Sequence, residues 1–310
     1  MEFAHVSVML DEVISSLAIK ENGIYADGTL GGGGHTNGIL AHCPGSTVIG
    51  IDQDTDAIEA ASKRLEQYGE RFVSVHDNFS NITNILSKLG IKGLDGAVLD
   101  LGVSSYQLDE ASRGFSYIHD APLDMRMNRE NQLSAAKVIN AYSKQELTDI
   151  FYAYGEEKWS KRIAEFICEA REEKPIETTG ELVSIIEKAI PKAARMEGGH
   201  PAKRVFQAVR IEVNGELKIL EKALRDFAEA LNPGGRLAVI TFHSLEDRIV
   251  KNTFKDLCTD CICPKEFPVC VCGHKAIAKA APKKPILPSK EELDVNSRSR
   301  SAKLRIIEKL

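Results

Sequence analysis

Apolar residues enter the first hundred positions as short continuous runs separated by stretches of helical spacing. Ile24-Tyr25-Ala26, Thr47-Val48-Ile49-Gly50-Ile51, Phe72-Val73-Ser74-Val75 and Leu94 to Leu99 are runs of strand length. Unbroken apolar character predicts strands buried on both faces rather than one. Between them, Thr55 to Tyr68 places Ile58, Ala61 and Leu65 on one helical face, Ile82 to Leu89 is helix-like, and residues 8–19 predict an opening helix. Strands alternating with helices in this way predict a parallel sheet covered on both sides.

The alternation then stops. From about Asp109 to about Val205 no segment has the pattern of a strand, and helical periods are punctuated by start signals. Ser143-x-x-Glu146 and Thr178-x-x-Glu181 have capping-box spacing, and Trp159, Ile163, Phe166, Ile167 and Ala170 make one apolar face. A long helix through Val213, Leu217, Leu220, Leu224, Phe227 and Leu231 is expected to end at Asn232-Pro233-Gly234-Gly235. Strands at Arg236–Phe242 and Ala302–Ile307 follow. The expected organisation is therefore an α/β sheet domain over residues 1–108, an inserted all-helical domain over 109–205, and the sheet domain resumed over 206–310. Ala276 to Lys290, rich in Ala, Pro and Lys, is the expected disordered loop.

Candidate chemistry sits where the strands end. The first strand runs into Asp27-Gly28-Thr29-Leu30-Gly31-Gly32-Gly33-Gly34-His35 and then a helix. Successive glycines leave bare N–H groups and a helix N-terminus free to approach a ligand, although a flexible surface loop would have the same composition. The second strand closes on Asp52, about twenty residues on, where a nucleoside-binding βαβ unit needs a carboxylate for ribose hydroxyls. Phe79 and Asp100 fall beyond the third and fourth strands. A nicotinamide dinucleotide and S-adenosylmethionine are the two cofactors to weigh. The helical insert stands where a second mononucleotide-binding half would be needed, which favours the methyl donor. Then Asp52 would hold the ribose, Phe79 would lie against adenine and Asp100 would face the methionine end, with His243 and Glu246 bordering the crevice.

Composition narrows the class without naming a substrate. Hydrophobic content of 43% and charged content of 27% describe a globular chain. No signal-like N-terminus or membrane-length apolar run is present, so a cytoplasmic protein is expected. The net charge of -5 is uneven: residues 251–310 hold 13 Lys and Arg against 7 Asp and Glu, a net of +6 that leaves -11 on the rest. Lys192, Arg195, Lys203, Arg204 and Arg210 against Glu197 make one candidate RNA-contacting patch, and Arg298, Arg300, Lys303 and Arg305 another; solvated faces fit both counts equally. Of seven cysteines, Cys258, Cys261, Cys263, Cys270 and Cys272 cluster within fifteen residues. Their density suits a thiolate zinc site, but the spacing is not that of a standard finger and reduced thiols also fit.

Several strings together resemble one family. They are the glycine segment above, Asp100-Leu101-Gly102-Val103-Ser104-Ser105-x-Gln107-Leu108-Asp109, Arg113-Gly114-Phe115-Ser116-Tyr117, Ala121-Pro122-Leu123-Asp124-Met125-Arg126-Met127, His200-Pro201-Ala202, Phe206-Gln207-Ala208-Val209-Arg210 and Phe242-His243-Ser244-Leu245-Glu246-Asp247-Arg248. Their order over nearly the whole chain is similar to that of the bacterial RsmH (MraW) family. The resemblance implies a Rossmann-like class I S-adenosylmethionine-dependent methyltransferase sheet with an inserted helical domain. It implies methylation at N4 of a cytidine, position 1402, in the 16S rRNA of the small ribosomal subunit. Cofactor contacts are implied at Gly33, Gly34, His35, Asp52, Phe79, Asp100 and Gln107, and no metal is implied. Asp100 is the expected catalytic carboxylate, with Asp109 and Asp124 as rivals. Tyr106, Phe115 and Tyr117 are candidates to stack on an unstacked base or to pack between domains. A nicotinamide-dependent oxidoreductase and a zinc-bearing ribosome-assembly adaptor remain the alternatives.

Overall fold

The computed structural model describes residues 7–196, 199–264, 266–267 and 269–310. In chain order, α1 (Leu10–Leu17), β1 (Ile24–Asp27), α2 (Gly34–His42), β2 (Thr47–Asp52), α3 (Thr55–Leu65), β3 (Phe72–His76), α4 (Ile82–Leu89) and β4 (Leu94–Asp100) build the first stretch. Helices α5 (Ser105–Asp109), α6 (Ala135–Ala141), α7 (Lys144–Ala153), α8 (Ser160–Glu173), α9 (Thr179–Ala189) and α10 (Lys203–Asn214) follow. The chain closes with α11 (Glu216–Ala230), β5 (Leu231–Thr241), α12 (Ser244–Leu257), β6 (Ala278–Ala280), α13 (Lys290–Val295) and β7 (Lys303–Lys309). Two compact units result: the described residues up to Gly102 together with Leu217–Leu310, and Val103–Glu216. Against the expected breaks at 108/109 and 205/206, the helical unit takes in α5 and α10 as well.

All seven strands form one sheet in the order β3-β2-β1-β4-β5-β7-β6. The five strands from β3 to β5 are parallel, whereas β7 is antiparallel to both β5 and β6. The parallel sheet expected from the first four strands is present, and the antiparallel member comes from the C-terminal run. After crossing over through α12, β6 runs in the direction of β5 but leaves a gap beside it, and the returning chain fills that gap as β7. Alternate residues of the buried strands face two cores, as period-two geometry requires. Ala26, Ile49, Ile51, Ala97, Leu99 and Val239 pack with α4, α11 and α12 residues such as Ile85, Phe227 and Phe254. Tyr25, Val48, Val98, Ala238 and Ile240 pack with Val13, Leu17, Ile39 and Leu65 from α1, α2 and α3. Carboxyl ends of the parallel strands lie between the two helix layers.

Two further expectations are corrected here. The long helix from Val213 is two helices, because Gly215 takes a left-handed φ of 63° and ends α10. Asn214 fixes the break: its amide donates to the carbonyl of Met125 (2.9 Å) and its Oδ1 accepts the N–H of Met127 (2.8 Å). The Ala276–Lys290 segment is not an unstructured loop but contains β6, whose residues Ala278 to Ala280 pair with Lys309 to Ile307. An unpaired β7 edge would have wasted its N–H and C=O groups, and Lys279 adds an ion pair to Glu308 at 2.8 Å.

Within the helical unit Phe151, Ile163, Ile167, Leu182, Ile186, Phe206 and Val209 form the core, while Phe166 is only partly covered. Arg113 is fully enclosed there, 2% exposed, and its guanidinium donates to the carbonyls of Arg126 (2.9 Å) and Met127 (3.1 Å). Ser143 and Thr178 make both expected capping boxes, with Glu146 and Glu181. Among the described residues, no helix is long and apolar enough to cross a membrane.

Candidate active site

Each parallel strand that ends in a carboxylate does so where its apolar run stops. Asp27 ends β1 and is 1% exposed. Its Oδ2 accepts from the Thr36 hydroxyl (2.8 Å) and its Oδ1 from the Thr29 N–H (3.2 Å). Burial pushes its carboxyl up, with His35 and Thr36 pulling the other way. The turn that follows is stitched to both neighbouring strands by Gly28 N–H to Val98 O (2.9 Å) and Leu30 N–H to Ile51 O (3.0 Å). Thr29 Oγ1 also accepts the Asp100 N–H at 2.6 Å. The glycine turn is thus a rigid part of the sheet, not a flexible loop.

Asp52, ending β2, reaches back into that turn. Its Oδ2 accepts the N–H of Gly31 (2.8 Å) and its Oδ1 the N–H of Asp54 (2.9 Å). Burial nonetheless raises its carboxyl to about 6, against those two hydrogen bonds. Gly32, Gly33 and Gly34 divide into two kinds. A side chain on Gly33, whose φ is 72°, would begin 2.9 Å from Leu65 Cδ1, and one on Gly34 would collide with the Ser7 hydroxyl. These two glycines let α2 pack against the chain's own residues. Gly32, with nothing within 4 Å of where its side chain would begin, is open to an incoming group.

Asp100 ends β4, and its electrostatic setting is unlike that of an ordinary aspartate. Its Oδ1 is buried and makes no hydrogen bond among the described residues, while its Oδ2 lies 3.9 Å from His35 Nδ1. Burial raises the carboxyl to about 7; His35 draws it down and the charges of Asp27 and Glu246 push it up. The ring of His35 is held from behind by its Nε2, 3.0 Å from the carbonyl of Val8. A carbonyl can only accept, so that nitrogen carries the proton and Nδ1 faces Asp100. Glu246, 2% exposed, accepts the N–H groups of Phe242 (2.9 Å) and His243 (3.3 Å) through Oε2. His243 Nδ1 accepts the Glu246 N–H, leaving Nε2 3.0 Å from Glu246 Oε1 without hydrogen-bond geometry to any described group.

Of the expected cofactor contacts, Gly33, Gly34, His35, Asp52, Phe79 and Asp100 belong to the sheet unit and follow the carboxyl ends of β1 to β4. Phe79 is half-buried on the turn after β3. Gln107 belongs to the helical unit, where its Oε1 accepts the Ser104 N–H (3.1 Å) in a capping box. Asp27, which is not among the expected contacts, ends β1 as Asp52 and Asp100 end β2 and β4. These groups suit a nucleoside carrying a charged amino-acid tail: Asp52 is a carboxylate at the end of β2, Gly32 is unobstructed, and the Asp100 Oδ1 is a buried acceptor without a donor among the described residues.

A model of the MraW methylase family matches residues 2–310. The chain belongs to the MraW methylase family. Over 311 residues, covering all of each chain, it is 61% identical to Ribosomal RNA small subunit methyltransferase H of Clostridium botulinum and 55% identical to the protein of that name from Finegoldia magna. The counterpart of the same name from Clostridioides difficile is 56% identical, again over all of each chain. This MraW-family chain is an S-adenosylmethionine-dependent methyltransferase, which removes the nicotinamide alternative.

The remaining candidates of the MraW-family chain lie in the helical unit or at the C-terminal edge. Asp124 is locked to Arg126 by two hydrogen bonds of 2.7 and 2.9 Å. Burial would raise its carboxyl, but those bonds outweigh it and hold the group low. Asp109 is exposed. Phe115 is built into the helical core, and Tyr117 stacks on His200 at 4.5 Å with Phe206 at its edge, leaving Tyr106, 49% exposed, as the accessible ring. Arg210 is committed to Glu216 by bonds of 2.9 and 2.8 Å, whereas Lys192 and Lys203 are exposed. Glu197 lies outside the described residues. Arg305 and Lys303 both pair with Asp247, at 2.7 and 3.2 Å.

Proposed function

We propose that this methylase transfers a methyl group to N4 of the cytidine at position 1402 of 16S rRNA, within the small ribosomal subunit, and so tunes the decoding centre. The relatives named for small-subunit rRNA methylation support the substrate class. The unpartnered Asp100 Oδ1 is the observation that supports attack on an amine. S-adenosylmethionine, when bound, supplies a methyl carbon made electrophilic by its sulfonium. Asp52 would hold its ribose, Phe79 would lie against adenine and Asp100 would take the methionine amino end, with His35 and the main chain of Gly33 and Gly34 completing the set.

The exocyclic amine of cytosine is a poor nucleophile because its lone pair is delocalised into the ring. An acceptor that pulls on an N–H bond returns density to nitrogen as the new bond forms. A carboxylate with an ordinary pKa is a weak base for that task; one raised to about 7 is matched to a neutral cell. Asp100 therefore accepts from the target amine, with His35, held by the Val8 carbonyl, 3.9 Å from its other oxygen. Glu246 adds negative charge that keeps Asp100 basic. Phosphate contacts from exposed cations such as Lys192 and Lys203 position the RNA and weaken with salt.

Radiolabelled methyl transfer to small subunits lacking the modification tests the reading. Nuclease digestion and mass spectrometry should find the label in N4-methylcytidine, and subunits carrying uridine at 1402 should stay unlabelled. Label on another base or another ring atom would remove the assignment.

A further inference from the structure

The segment between α12 and β6 brings four of its five clustered cysteines to one point. Sγ atoms lie 3.5 Å apart for Cys261 and Cys270, 3.5 Å for Cys270 and Cys272, and 3.8 Å for Cys261 and Cys272. With Cys263 included, all four sulfurs fall within 4.8 Å of one another. Zinc–sulfur bonds of about 2.3 Å in a tetrahedron place the sulfurs about 3.8 Å apart, so the spacing is that of one small ion. An iron–sulfur cluster interposes several irons and needs its thiolates farther apart. Cys258, at the end of α12, is not in the group.

Main-chain N–H groups point at these sulfurs as they do around thiolates. Val271 donates to Cys263 at 3.4 Å, Cys263 donates to Cys261, and Ile262 and His274 both donate to Cys272. Such bonds orient and stabilise charged ligands. The surrounding chain has no hydrophobic reason to hold this shape. Among the described residues of 260–273 only Cys263 is not exposed, and Ile262, Val269 and Val271 are 59, 70 and 72% exposed. A loop that buries so little needs a cross-link to be ordered.

We propose that Cys261, Cys263, Cys270 and Cys272 bind one Zn²⁺ in a structural tetrathiolate centre that fixes the 258–277 loop. The resemblance that suggested the family implied no metal; the convergence of four sulfurs supplies the reason for one. The centre joins the far end of α12, whose start carries His243 and Glu246, to the edge strand β6. His274 braces the same junction, with Nδ1 2.8 Å from the Thr259 carbonyl and Nε2 3.5 Å from Asp256. Asp256 in turn pairs with Arg225 at 2.8 Å.

The test uses the full chain without a histidine tag, made in zinc-supplemented medium and purified under reductant without chelator. Elemental analysis should find about one zinc per chain, falling below about a tenth in Cys261→Ser and Cys272→Ser and unchanged in Cys258→Ser. If the serine variants do not fold, cobalt titration of the metal-stripped native chain carries the test. Cobalt should give thiolate charge transfer and strong tetrahedral visible bands, identical in Cys258→Ser. Metal-free protein whose cobalt form lacks charge transfer, an equal loss in Cys258→Ser, an iron chromophore with acid-labile sulfide, or disulfides among the four by mass spectrometry would overturn the proposal.

Discussion

The aspartates that end strands in the sheet unit and the capped or paired acids of the helical unit behave in opposite ways. In the sheet unit Asp27, Asp52 and Asp100 end parallel strands and have their carboxyls pushed up, chiefly by desolvation. In the helical unit Asp120, Asp124, Glu146 and Glu181 are pulled down, by the Thr178 hydroxyl and Gly180 N–H, by Arg126, by Ser143 and by Lys174 respectively. Low values belong to acids whose charge is already answered by a cap or a cation, and which stabilise the fold. High values belong to acids that burial desolvates by more than their hydrogen bonds return, which is what a site for cationic or hydrogen-donating ligands requires. The contrast sorts the rival carboxylates: Asp100 is poised, and Asp124 is spent on Arg126.

The sharpest way to break that contrast is to exchange the roles. Asp100→Ala should lower methyl transfer to small subunits by about 10²- to 10⁴-fold with the fold intact by circular dichroism. Asp124→Ala should instead cost about 1–3 kcal/mol of stability by releasing Arg126, with activity following the folded fraction in a melt. Near-normal turnover in the first, or lost turnover without lost stability in the second, would reverse the assignment. Next in size, Asp52→Asn should weaken S-adenosylmethionine binding by about 10- to 100-fold in calorimetry while leaving turnover at saturating donor largely intact. Unchanged affinity would take Asp52 out of the cofactor site.

Opposite shifts also predict opposite pH slopes. Asp100 has a folded-state pKa of about 7, above its unfolded value near 4, so between those values the folded chain binds more protons and its stability falls as pH rises. Asp100→Asn should erase that slope, gaining on the native cofactor-free chain by on the order of 1–3 kcal/mol between pH 4 and pH 8 in denaturant melts. A constant difference across the range would show that the carboxyl titrates normally. Glu181 has the reverse sign: held at about 2, it contributes above its unfolded value and is lost as pH falls toward 2. The smallest effect expected is that of its cap, with Thr178→Ala costing about 1 kcal/mol in thermal melts at neutral pH and less in acid. A loss of the same size in acid would mean that the capping box does not depend on the Glu181 charge.

Much of this molecule is a local property and so could be read without coordinates. Short apolar runs ending in Asp52 and Asp100, the capping boxes at Ser143 and Thr178, and the helix-only stretch between them each follow from side-chain spacing within a few residues. Packing between distant segments decided the rest. That Gly33 and Gly34 make room for Leu65 and Ser7 while Gly32 stays open depends on what folds over them, not on the glycines. The antiparallel β7, the β6 edge inside an Ala- and Pro-rich stretch, and the break at Gly215 arise from pairings with residues far along the chain. Which four of five cysteines meet was likewise beyond reach of spacing. The chain alone determined where carboxylates terminate strands; the tertiary structure decided which of them lost water without gaining a partner, because desolvation is set by every neighbour at once.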